Sequence, residues 1–523
     1  MSSTSGIKSS PGAGEFGTLN LWHADATVAA ETGTVTAEIR ESGAYSATSA
    51  SLTASITAGT TYIVTSDSSN ALNAATYAAA TAKAHVNSII SVTSTKSWTL
   101  EKFSIVTSGF ALSLHPASGT PAIYVYRMGI LNSGDNGVRC ATGTPNATIS
   151  NCFAIHNAGV AIYEFRLNVA SATFNIYHCS GYSNQTGGGA VFSRGNGTMN
   201  TYACIAQGAG TCWSGTIGGT RNVSQDATAP GSNSVRGASG LFAVPTAGSE
   251  DLNLNCRLAM VDETGFPADC ATDLVGTSRP ATLADPGCVQ WVGTYTALTT
   301  LTSDEGTGSA GTAINGRTTD ASLGGTGHTM GAPTGANQYE VNGSGVIQQA
   351  GGSGSGTVAY DSAASATGNQ SSEVVMDEIF LGATVMADAS TTDSNSYFAW
   401  YASAAAGLSI YKSVAGAVSL LAVNAAAVPV AGDTISIEVQ RIGSTNWLTS
   451  RLNGVLRVVA SDTALSSGVG GYRIYNTGKI RSWTSKTIAA GSSWKTWNGL
   501  AIASLKTRNG LAIASVKTWN SLA

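Results

Sequence analysis

The sequence has few charged residues and no long apolar run. Asp, Glu, Lys and Arg make up 11% of the 523 residues, where about a quarter is usual for soluble proteins. The formal net charge is −4 and no basic run occurs, so nucleic acid is not an expected partner. No stretch of about 18 apolar residues is present that would span a membrane as a helix.

The N-terminal residues lack the apolar core of a secretory signal. Hydrophobic residues still make up 43% of the chain, which is enough to bury a core. With 62 glycines, the composition is typical of a β-rich extracellular or virion protein. The missing signal favours release by cell lysis, as for a phage particle; the alternative is a signal already removed.

Four consecutive segments of 25 to 27 residues can be aligned with one another: Trp98–Ala122, Ile123–Ala147, Thr148–Phe174 and Asn175–Met199. Their eighth positions read Ile105, Ile130, Ile155 and Tyr182, and a fifth segment continues with Gln207. Their tenth positions read Thr107, Asn132, Asn157 and Asn184, followed by Ala209. Such a period predicts a solenoid whose coils bury their apolar faces against one another. About 11 coils would form a rod about 50 Å long.

The fifth positions of these segments read Lys102, Arg127, Cys152, Cys179 and Cys204. An even total of eight cysteines allows disulfides. Because three of them recur at one coil position, we expect a ladder of free, buried thiols instead. Lys102 and Arg127 are expected where that position faces solvent. No cysteine or histidine spacing typical of zinc occurs, so neither a metal nor a cofactor is expected.

Three features resemble the right-handed parallel β-helix proteins of the pectate-lyase-like superfamily. They are the opening at residues 17–28, the Asn-Cys-apolar coils, and the segment Asp273–Trp291. That segment resembles the closing coil of bacterial and phage members, with Gly276, Arg279-Pro280 and Asp285 to Gln290 at the expected places. The resemblance implies a parallel β-helix over 18–297, after a flexible leader at 1–17.

Residues 303–488 have a different pattern. Ile435, Ile437 and Val439 alternate with polar residues, as in a half-buried strand. Asn453-Gly454 is a strong hairpin signal. Several short strands without helical periodicity indicate a β-sandwich. Their order resembles the concanavalin A-like jelly-roll domains.

Residues 489–523 repeat every 11 residues, as Lys495, Lys506 and Lys517 show. An 11-residue period also suits a helix, but Asn-Gly pairs favour short strands. Trp494, Trp497 and Trp519 are candidate assembly residues, since exposed strand edges pair with other chains. The competing interpretation is a mobile low-complexity end.

Convergent acids and bases are scarce in the solenoid. The candidates are Asp135 with Arg139, Glu164 with Arg166, and His156 with His178. We expect the first pair on a solvated loop and the second on the surface. The two histidines occupy different coil positions and should not stack. Glycoside hydrolysis needs two carboxylates at a set separation, so an enzyme is disfavoured.

The second domain offers aromatic residues that could stack on sugar rings. Tyr397, Trp400, Tyr401 and Trp447 are the candidates, with Tyr411 nearby. Core packing is the competing role for each. Asp388 and Asp393 are weaker candidates for calcium.

The sequence therefore predicts an all-β protein: a right-handed parallel β-helix, a jelly-roll sandwich and a short β-repeat tail. We expect a phage virion surface protein (a fibre, spike or decoration component) that presents a carbohydrate-binding sandwich. Its partners would be a host glycan, virion proteins contacted through the tail, and in one arrangement further copies of itself. The alternatives are a polysaccharide depolymerase with a site in a β-helix groove, and a bacterial extracellular adhesin or filament subunit.

Overall fold

The computed structural model describes most of the chain. The described residues are 3–8, 12–13, 15–25, 32–41, 44–45, 50–52, 61–116, 119–132, 134–156, 163–184, 189–208, 210–238, 240–245, 248–291, 293, 298–319, 321–322, 329–331, 338–350, 358–361, 369–378, 383–390, 394–401, 406–474, 478–488, 496–497, 500–501, 507–508 and 511–512. The chain is all-β with 4% helix, and the N-terminal part is a parallel β-solenoid, as predicted. No described helix is long and apolar enough to cross a bilayer.

The solenoid makes about six turns, each with up to three strands. Sheet 1 contains Ser3–Ile7, Glu15–Phe16, Thr34–Ile39, Thr61–Ser66, Ser97–Glu101, Ala122–Tyr126, Asn146–Ser150, Gly218–Thr220 and the second halves of Tyr163–Tyr177 and Ala190–Tyr202. Sheet 2 contains Ala44–Tyr45, His85–Val86, Ser104–Thr107, Gly129–Asn132, Phe153–His156, Ser180–Ser183, Ile205–Gly208 and Val223–Ser224. Sheet 3 contains Ala50–Leu52, Ile90–Val92, Leu112–Leu114, Val138–Cys140, Thr211–Ser214 and the first halves of the two long strands.

A left-handed residue forms the corner between sheets 1 and 2 in successive turns. This corner column consists of Lys102, Arg127, Asn151, His178, Ala203 and Arg221, with φ between 48° and 66°. Such a conformation is uncommon outside glycine. It bends the chain sharply, so residues on both sides of the corner point inward, as Ile149 and Cys152 do in one turn.

The position of the corner in each turn shows that the predicted alignment of the repeats is wrong by one residue. Ile123 pairs with Ala147, so the second repeat has 24 residues. Lys102 and Arg127 therefore align with the corner column and not with the cysteines. The same shift places Ile105 and Ile130 in the solenoid core, whereas Ile155 and Tyr182 face outward.

Cys152, Cys179 and Cys204 follow the corner in three successive turns, after Phe103 and Met128 in the two turns before. All eight cysteines are free and buried, which agrees with the predicted thiol ladder. Burial, with the neighbouring thiols of Cys152 and Cys204, raises the pKa of Cys179 well above its ordinary value. A thiol that stays protonated is a poor nucleophile, so the ladder acts as apolar filling.

The first turn is closed by the short helix Leu19–Ala24. The Thr18 side chain caps its N-terminus by accepting a hydrogen bond from Leu21 N. Leu19 and Trp22 cover the end of the core, and Trp22 meets Tyr62 edge to face. The expected flexible leader at 1–17 is wrong for Ser3–Ile7, which pairs with Thr34–Ile39; residues 1, 2, 9–11 and 14 lie outside the described residues. A second short helix spans Tyr77–Ala82.

The parallel ladders end at Val223–Ser224, so the predicted 11 coils are too many. The described residues of 235–291, here called the covering segment, lie against the outer face of sheet 2. The segment contains a hairpin, Phe242–Val244 with Asp251–Leu254, and the 3₁₀ turn Ala268–Ala271. It buries outward-facing Leu131, Phe153, Ile155, Tyr182 and Ile205. The predicted closing coil over Asp273–Trp291 is therefore wrong: this stretch packs beside the solenoid and does not add a turn to it.

A buried polar network fixes the end of the covering segment. The Asp285 carboxylate accepts hydrogen bonds from Leu258 N at 2.6 Å and Ala259 N at 2.7 Å. The Arg279 guanidinium donates to the carbonyls of Asp285 and Gly287 and, at 3.1 Å, to Asn151 Oδ1 in the corner column. The Gln290 side chain links both residues. Buried charges are tolerated only when paired and hydrogen-bonded, which explains why these residue types occur together.

Two antiparallel sheets form the second domain, as the predicted sandwich requires. Sheet 4 contains Leu298–Asp304, Thr312–Ala313, Ala321–Ser322, Tyr339–Val341, Ile347–Gln349, Gln370–Glu378, Thr434–Ile442, Thr445–Leu452, Val455–Asp462 and Lys479–Ile488. Sheet 5 contains Met330–Gly331, Ala359–Asp361, Ala383–Ala389, Ser396–Tyr401, Leu408–Val414, Ala417–Asn424 and Val469–Ile474. Asn453-Gly454 forms the predicted hairpin turn between Leu452 and Val455.

Each face of sheet 4 packs into a separate hydrophobic core. Its inner face packs against sheet 5 around Trp483 and Tyr472. On its other face, Trp447, Leu456 and Val459 join the covering segment and sheet 2 in one apolar cluster. Arg451 donates to the carbonyl oxygens of Leu258 at 2.8 Å and of Ala259 at 3.1 Å. The solenoid, covering segment and sandwich are therefore packed in consecutive layers.

The described part of the tail forms two minimal hairpins, Thr496–Trp497 with Leu500–Ala501 and Thr507–Arg508 with Leu511–Ala512. In the sequence an Asn-Gly pair separates the two strands of each hairpin, and the pairing is consistent with the expected strands. Trp494 and Trp519 lie outside the described residues, and only the backbone of Trp497 is described.

Replacing Asp285 with alanine should destabilise the fold strongly. The change leaves the buried backbone N–H groups of Leu258 and Ala259 without their acceptor. It also removes a carboxylate from the buried network that contains the Arg279 cation. Each such loss is costly, and together we expect roughly 3 kcal/mol or more. Thermal and urea unfolding would measure it. Asp262→Ala is the control, because that side chain is 46% exposed and its loss should matter little; equal effects would contradict the role of the network.

Candidate functional site

The outer face of sheet 5 carries a group of aromatic side chains. This outer aromatic cluster consists of Tyr360, Phe398, Trp400 and Tyr411. The rings of Phe398 and Tyr411 are stacked with centroids 5.4 Å apart, and Trp400 lies 5.4 Å from Tyr411. Phe398 is almost fully buried, whereas the other three are only partly buried. The cluster thus presents ring surface to solvent on a rigid sheet.

Polar groups continue the same face. Thr384 pairs with Trp400 on one side and with Arg473 on the other, and Trp400 pairs with Ser409. These four residues form one row across the strands, with Arg473 half-buried. Thr384 and Ser409 are only 2% and 1% exposed, so Trp400 and Arg473 are the accessible members of this row. Sugars are held by stacking on rings and by a few polar groups that orient them, and here the accessible polar group is the Arg473 cation.

The structure separates the predicted carbohydrate-binding residues. Trp400 lies in the outer aromatic cluster, and Tyr401 lies half-buried at the end of the same strand. Tyr397 is fully buried, and its hydroxyl donates to Asp462 Oδ1 at 3.0 Å. Trp447 is 5% exposed and packs against the covering segment. Buried rings cannot stack on a sugar, so the prediction is corrected for Tyr397 and Trp447.

A second aromatic surface lies on the outside of sheet 1. Tyr126, Ser150, Tyr177 and Tyr202 occupy one row in successive turns. The Tyr177 and Tyr202 rings stack 5.0 Å apart, and Phe266 of the covering segment meets both edge on. We call these three tyrosines and Phe266 the tyrosine row.

Two carboxylates lie beside the tyrosine row. Asp269 Oδ2 accepts a hydrogen bond from Ser150 Oγ at 2.7 Å. Glu101 occupies the row position before Tyr126 and lies 2.8 Å from Lys102 Nζ. Burial, and then Asp269 and Glu101, raise the pKa of Tyr126, while Thr272 and Arg127 oppose them. Asp269 and Glu101 therefore both raise the pKa of the Tyr126 phenol. Glu101 lies in the turn before Tyr126, and Asp269 contacts Ser150 in the turn after it.

The corner column holds the covering segment in place. Arg127 donates to Thr272 Oγ1, and Asn151 Nδ2 donates to the carbonyls of Asp269 and Thr272 at 2.9 Å each. Ala203 O accepts from Gly287 N, and Arg221 reaches Asp262. Left-handed corners direct their side chains out of the coil, which explains why one column makes all these contacts.

His178 makes the remaining contact between the corner column and the covering segment. Its Nε2 lies 2.9 Å from Glu263 Oε1, and the two side chains are 0% and 11% exposed. Burial lowers the pKa of His178 well below its ordinary value, and Arg279 adds to this. Burial raises the pKa of Glu263 to about 7. At neutral pH the histidine is therefore uncharged and the glutamic acid is partly protonated.

The three candidate acid–base pairs lie in different surroundings. Asp135 and Arg139 lie 3.9 Å apart near the surface, and Arg139 stacks over Phe110. Glu164 was expected on the surface with Arg166 but is fully buried, 3.9 Å from His156 Nδ1. Burial raises the pKa of Glu164 well above its ordinary value. His156 and His178 lie in sheet 2 and at the corner, so they are separated, as predicted.

Asp388, a calcium candidate, is buried in an ion pair with Arg441, with Oδ1 and Nη2 2.5 Å apart. Asp388 Oδ1 also accepts a hydrogen bond from Gln370 Nε2, so this oxygen is already bound by two side chains of the protein. Asp393 lies outside the described residues. Among the described residues no group of three or more potential ligands could hold a metal ion.

The chain matches no protein family and no curated protein by sequence. Among solved structures it is similar to the carbohydrate binding module CBM66 from Bacillus subtilis (14% identity, 36% of this chain and 97% of that one, TM-score 0.24). It is also similar to an endo-1,3-beta-glucanase from Streptomyces sioyaensis (11%, 37% and 98%, TM-score 0.22). A third likeness, to the enzymatically active domain of tailspike protein 2 from bacteriophage CBA120, covers 86% of this chain and 71% of that one, at 11% identity and a TM-score of 0.23. Values this low carry no argument about function, which has to come from the residues.

Sequence reasoning missed the tyrosine row. Tyr177 and Tyr202 are 25 residues apart, so the repeat itself contains the signal. The one-residue shift in the alignment separated Tyr126 from them. Phe266 and Asp269 could not be found from the repeat, because the covering segment reaches the row only in the folded protein.

Glu263→Gln should change how stability depends on pH. In the folded protein Glu263 keeps its proton up to about pH 7, whereas the unfolded chain loses it near 4.5. Its contribution is fully present below pH 4.5 and is lost as the pH rises through about 7. The variant cannot ionise and should gain in relative stability between about pH 5 and about pH 8.

Melting temperatures of both proteins across this range would measure the effect. His178, Arg279, Arg221 and Asp262 surround Glu263 and are unchanged in the variant, so their own titration contributes to both curves. A constant difference between the two proteins at every pH would contradict the raised pKa.

Proposed function

We propose that this protein is a phage virion surface protein, a fibre, spike or decoration component, that binds a glycan through the outer aromatic cluster of its sandwich. The sandwich is taken to be a jelly roll. The observation that carries the proposal is the pair of partly exposed rings, Trp400 and Tyr411, with the half-buried Arg473 in the same row as Trp400. Flat rings beside a cation suit a neutral or acidic polysaccharide.

The layered packing supports attachment as the role. The sandwich contacts the covering segment through Trp447, Leu456 and Val459 and through hydrogen bonds from Arg451. A binding face on a sandwich fixed to a solenoid is held at a constant distance and orientation. Such pre-organisation reduces the entropic cost of binding. The C-terminal repeat remains the proposed contact to other virion proteins.

A second candidate function is polysaccharide cleavage on the solenoid. The observation that favours it is the tyrosine row with Asp269 and Glu101 beside Tyr126. Two carboxylates next to an aromatic surface are the elements of a glycosidase. Against this function, Glu101 is already paired with Lys102 and Asp269 with Ser150.

Alanine at Trp400 or at Tyr411 should weaken glycan binding by about tenfold or more, because stacking rings dominate such contacts. A glycan array of bacterial capsule, O-antigen and cell-wall polysaccharides would identify the probe, and calorimetry would give the affinity. Tyr124→Ala is the matched control, since Tyr124 is an exposed aromatic residue, 47% accessible, on the solenoid.

The outcomes separate the candidates. Binding lost in Trp400→Ala and kept in Tyr124→Ala supports the sandwich site. Binding kept in both variants argues against it, and release of reducing ends or unsaturated sugars that Asp269→Asn abolishes would favour cleavage on the solenoid. Electron cryo-microscopy of particles from the source tests location: a molecule that is free in solution would overturn the virion assignment.

A further inference from the structure

Exposed aliphatic side chains are concentrated at one edge of the sandwich. Among the described residues nine large hydrophobic side chains are exposed, and five of them lie between residues 414 and 430. These five are Val414, Val418, Leu420, Val428 and Val430. Their centre is the strand Ala417–Asn424, which is the last strand of sheet 5.

The two halves of this edge strand differ. The second half is held in place, since Asn424 Nδ2 donates to Ser234 O at 3.1 Å and to Arg457 O at 2.8 Å. In the first half, Ala417, Val418, Ser419 and Leu420 are all exposed. Consecutive exposed residues mean that both faces of this half, as well as its hydrogen-bonding edge, are open to solvent.

Natural sheets protect such edges with charges or proline. Here the sequence contains no charged residue between Lys412 and Asp433, and its one proline in that interval, Pro429, follows the strand. Charged residues make up 11% of the whole chain, so the uncharged stretch between Lys412 and Asp433 is longer than the usual spacing of charges in this sequence. An edge that is apolar and unguarded would aggregate unless a specific partner covers it.

We propose that Ala417–Leu420 pairs with the same strand of a second copy of this chain, about a two-fold axis at Ser419. Antiparallel pairing about Ser419 places Val418 opposite Leu420 of the partner, and Ala417 opposite Leu421. The residue pattern of this segment is self-complementary, because apolar residues flank the small polar Ser419 on both sides. No like charges face each other across the pair. A partner selected by charge would need charged residues, which this segment lacks.

The pairing joins the two copies of sheet 5 into one continuous sheet. Leu420 pairs with Tyr411 on the neighbouring strand, so the outer aromatic cluster of each copy begins one strand from the seam. The two clusters would then lie on the same sheet.

Sedimentation analysis of the full-length protein over a range of concentrations tests the proposal. We expect a monomer–dimer equilibrium in the wild type that Val418→Lys weakens by at least tenfold. Leu283→Lys is the matched control, because Leu283 is 51% exposed and belongs to the covering segment and not to the edge strand. A wild type that stays monomeric, or a dimer that Val418→Lys leaves intact, overturns the proposal.

A second variant defines the register. Ser419→Cys places one cysteine next to its own copy at the axis, and mild oxidation should produce a covalent dimer. All eight native cysteines are buried and should not compete. Ser68→Cys, at an exposed turn of the solenoid, is the control. Equal cross-linking of both variants, or none in Ser419→Cys, would exclude pairing at this residue even if Val418→Lys fails to fold.

Discussion

Sheet 2 of the solenoid is apolar on both faces, and this constraint decides how the rest of the molecule is built. Its inner face belongs to the solenoid core. Its outer face carries Leu131, Phe153, Ile155, Tyr182 and Ile205, which could not remain in water without a large cost. Residues 235–291 cover that face, and sheet 4 of the sandwich packs on the covering segment in turn. One apolar surface thus fixes the position of the whole second domain.

The covering segment has little regular structure, so its backbone polar groups need other partners. The buried network of Arg279, Asp285 and Gln290 supplies them, and the corner column supplies the contacts to the solenoid. The left-handed corner serves both purposes: it lets side chains on either side enter the core, and it directs Arg127, Asn151 and His178 outward to the segment. The uncommon φ is repeated at all six positions of the corner column because the geometry of the coil requires it there.

Two surfaces expose aromatic side chains, and they differ in the polar groups beside them. In the outer aromatic cluster on sheet 5, the half-buried Arg473 lies in the same row as Trp400, whereas the hydroxyls of Thr384 and Ser409 in that row are buried. The tyrosine row on sheet 1 has two carboxylates, and each is already engaged by a neighbour. Of the acids and bases that the sequence offers, Asp135 and Arg139 lie near the surface and Glu164 is buried. The proposal of a glycan-binding protein rests on the exposed rings and the cation of the first surface.

Periodicity was enough for the sequence to determine the solenoid, the thiol ladder, the sandwich and the Asn453-Gly454 hairpin, because each depends on local spacing and on burial of one face. The alignment failed by one residue, since the connections that follow sheets 2 and 3 can absorb an insertion or deletion without changing the hydrophobic pattern. Only the tertiary structure decided which faces are exposed. Trp447 alternates as a solvent-facing residue would, yet another layer covers it. Glu164 is buried beside His156 within the solenoid. Phe266 and Asp269 reach the tyrosine row from more than 60 residues away in the chain. Contacts between layers depend on long-range packing, and a local pattern carries no information about them.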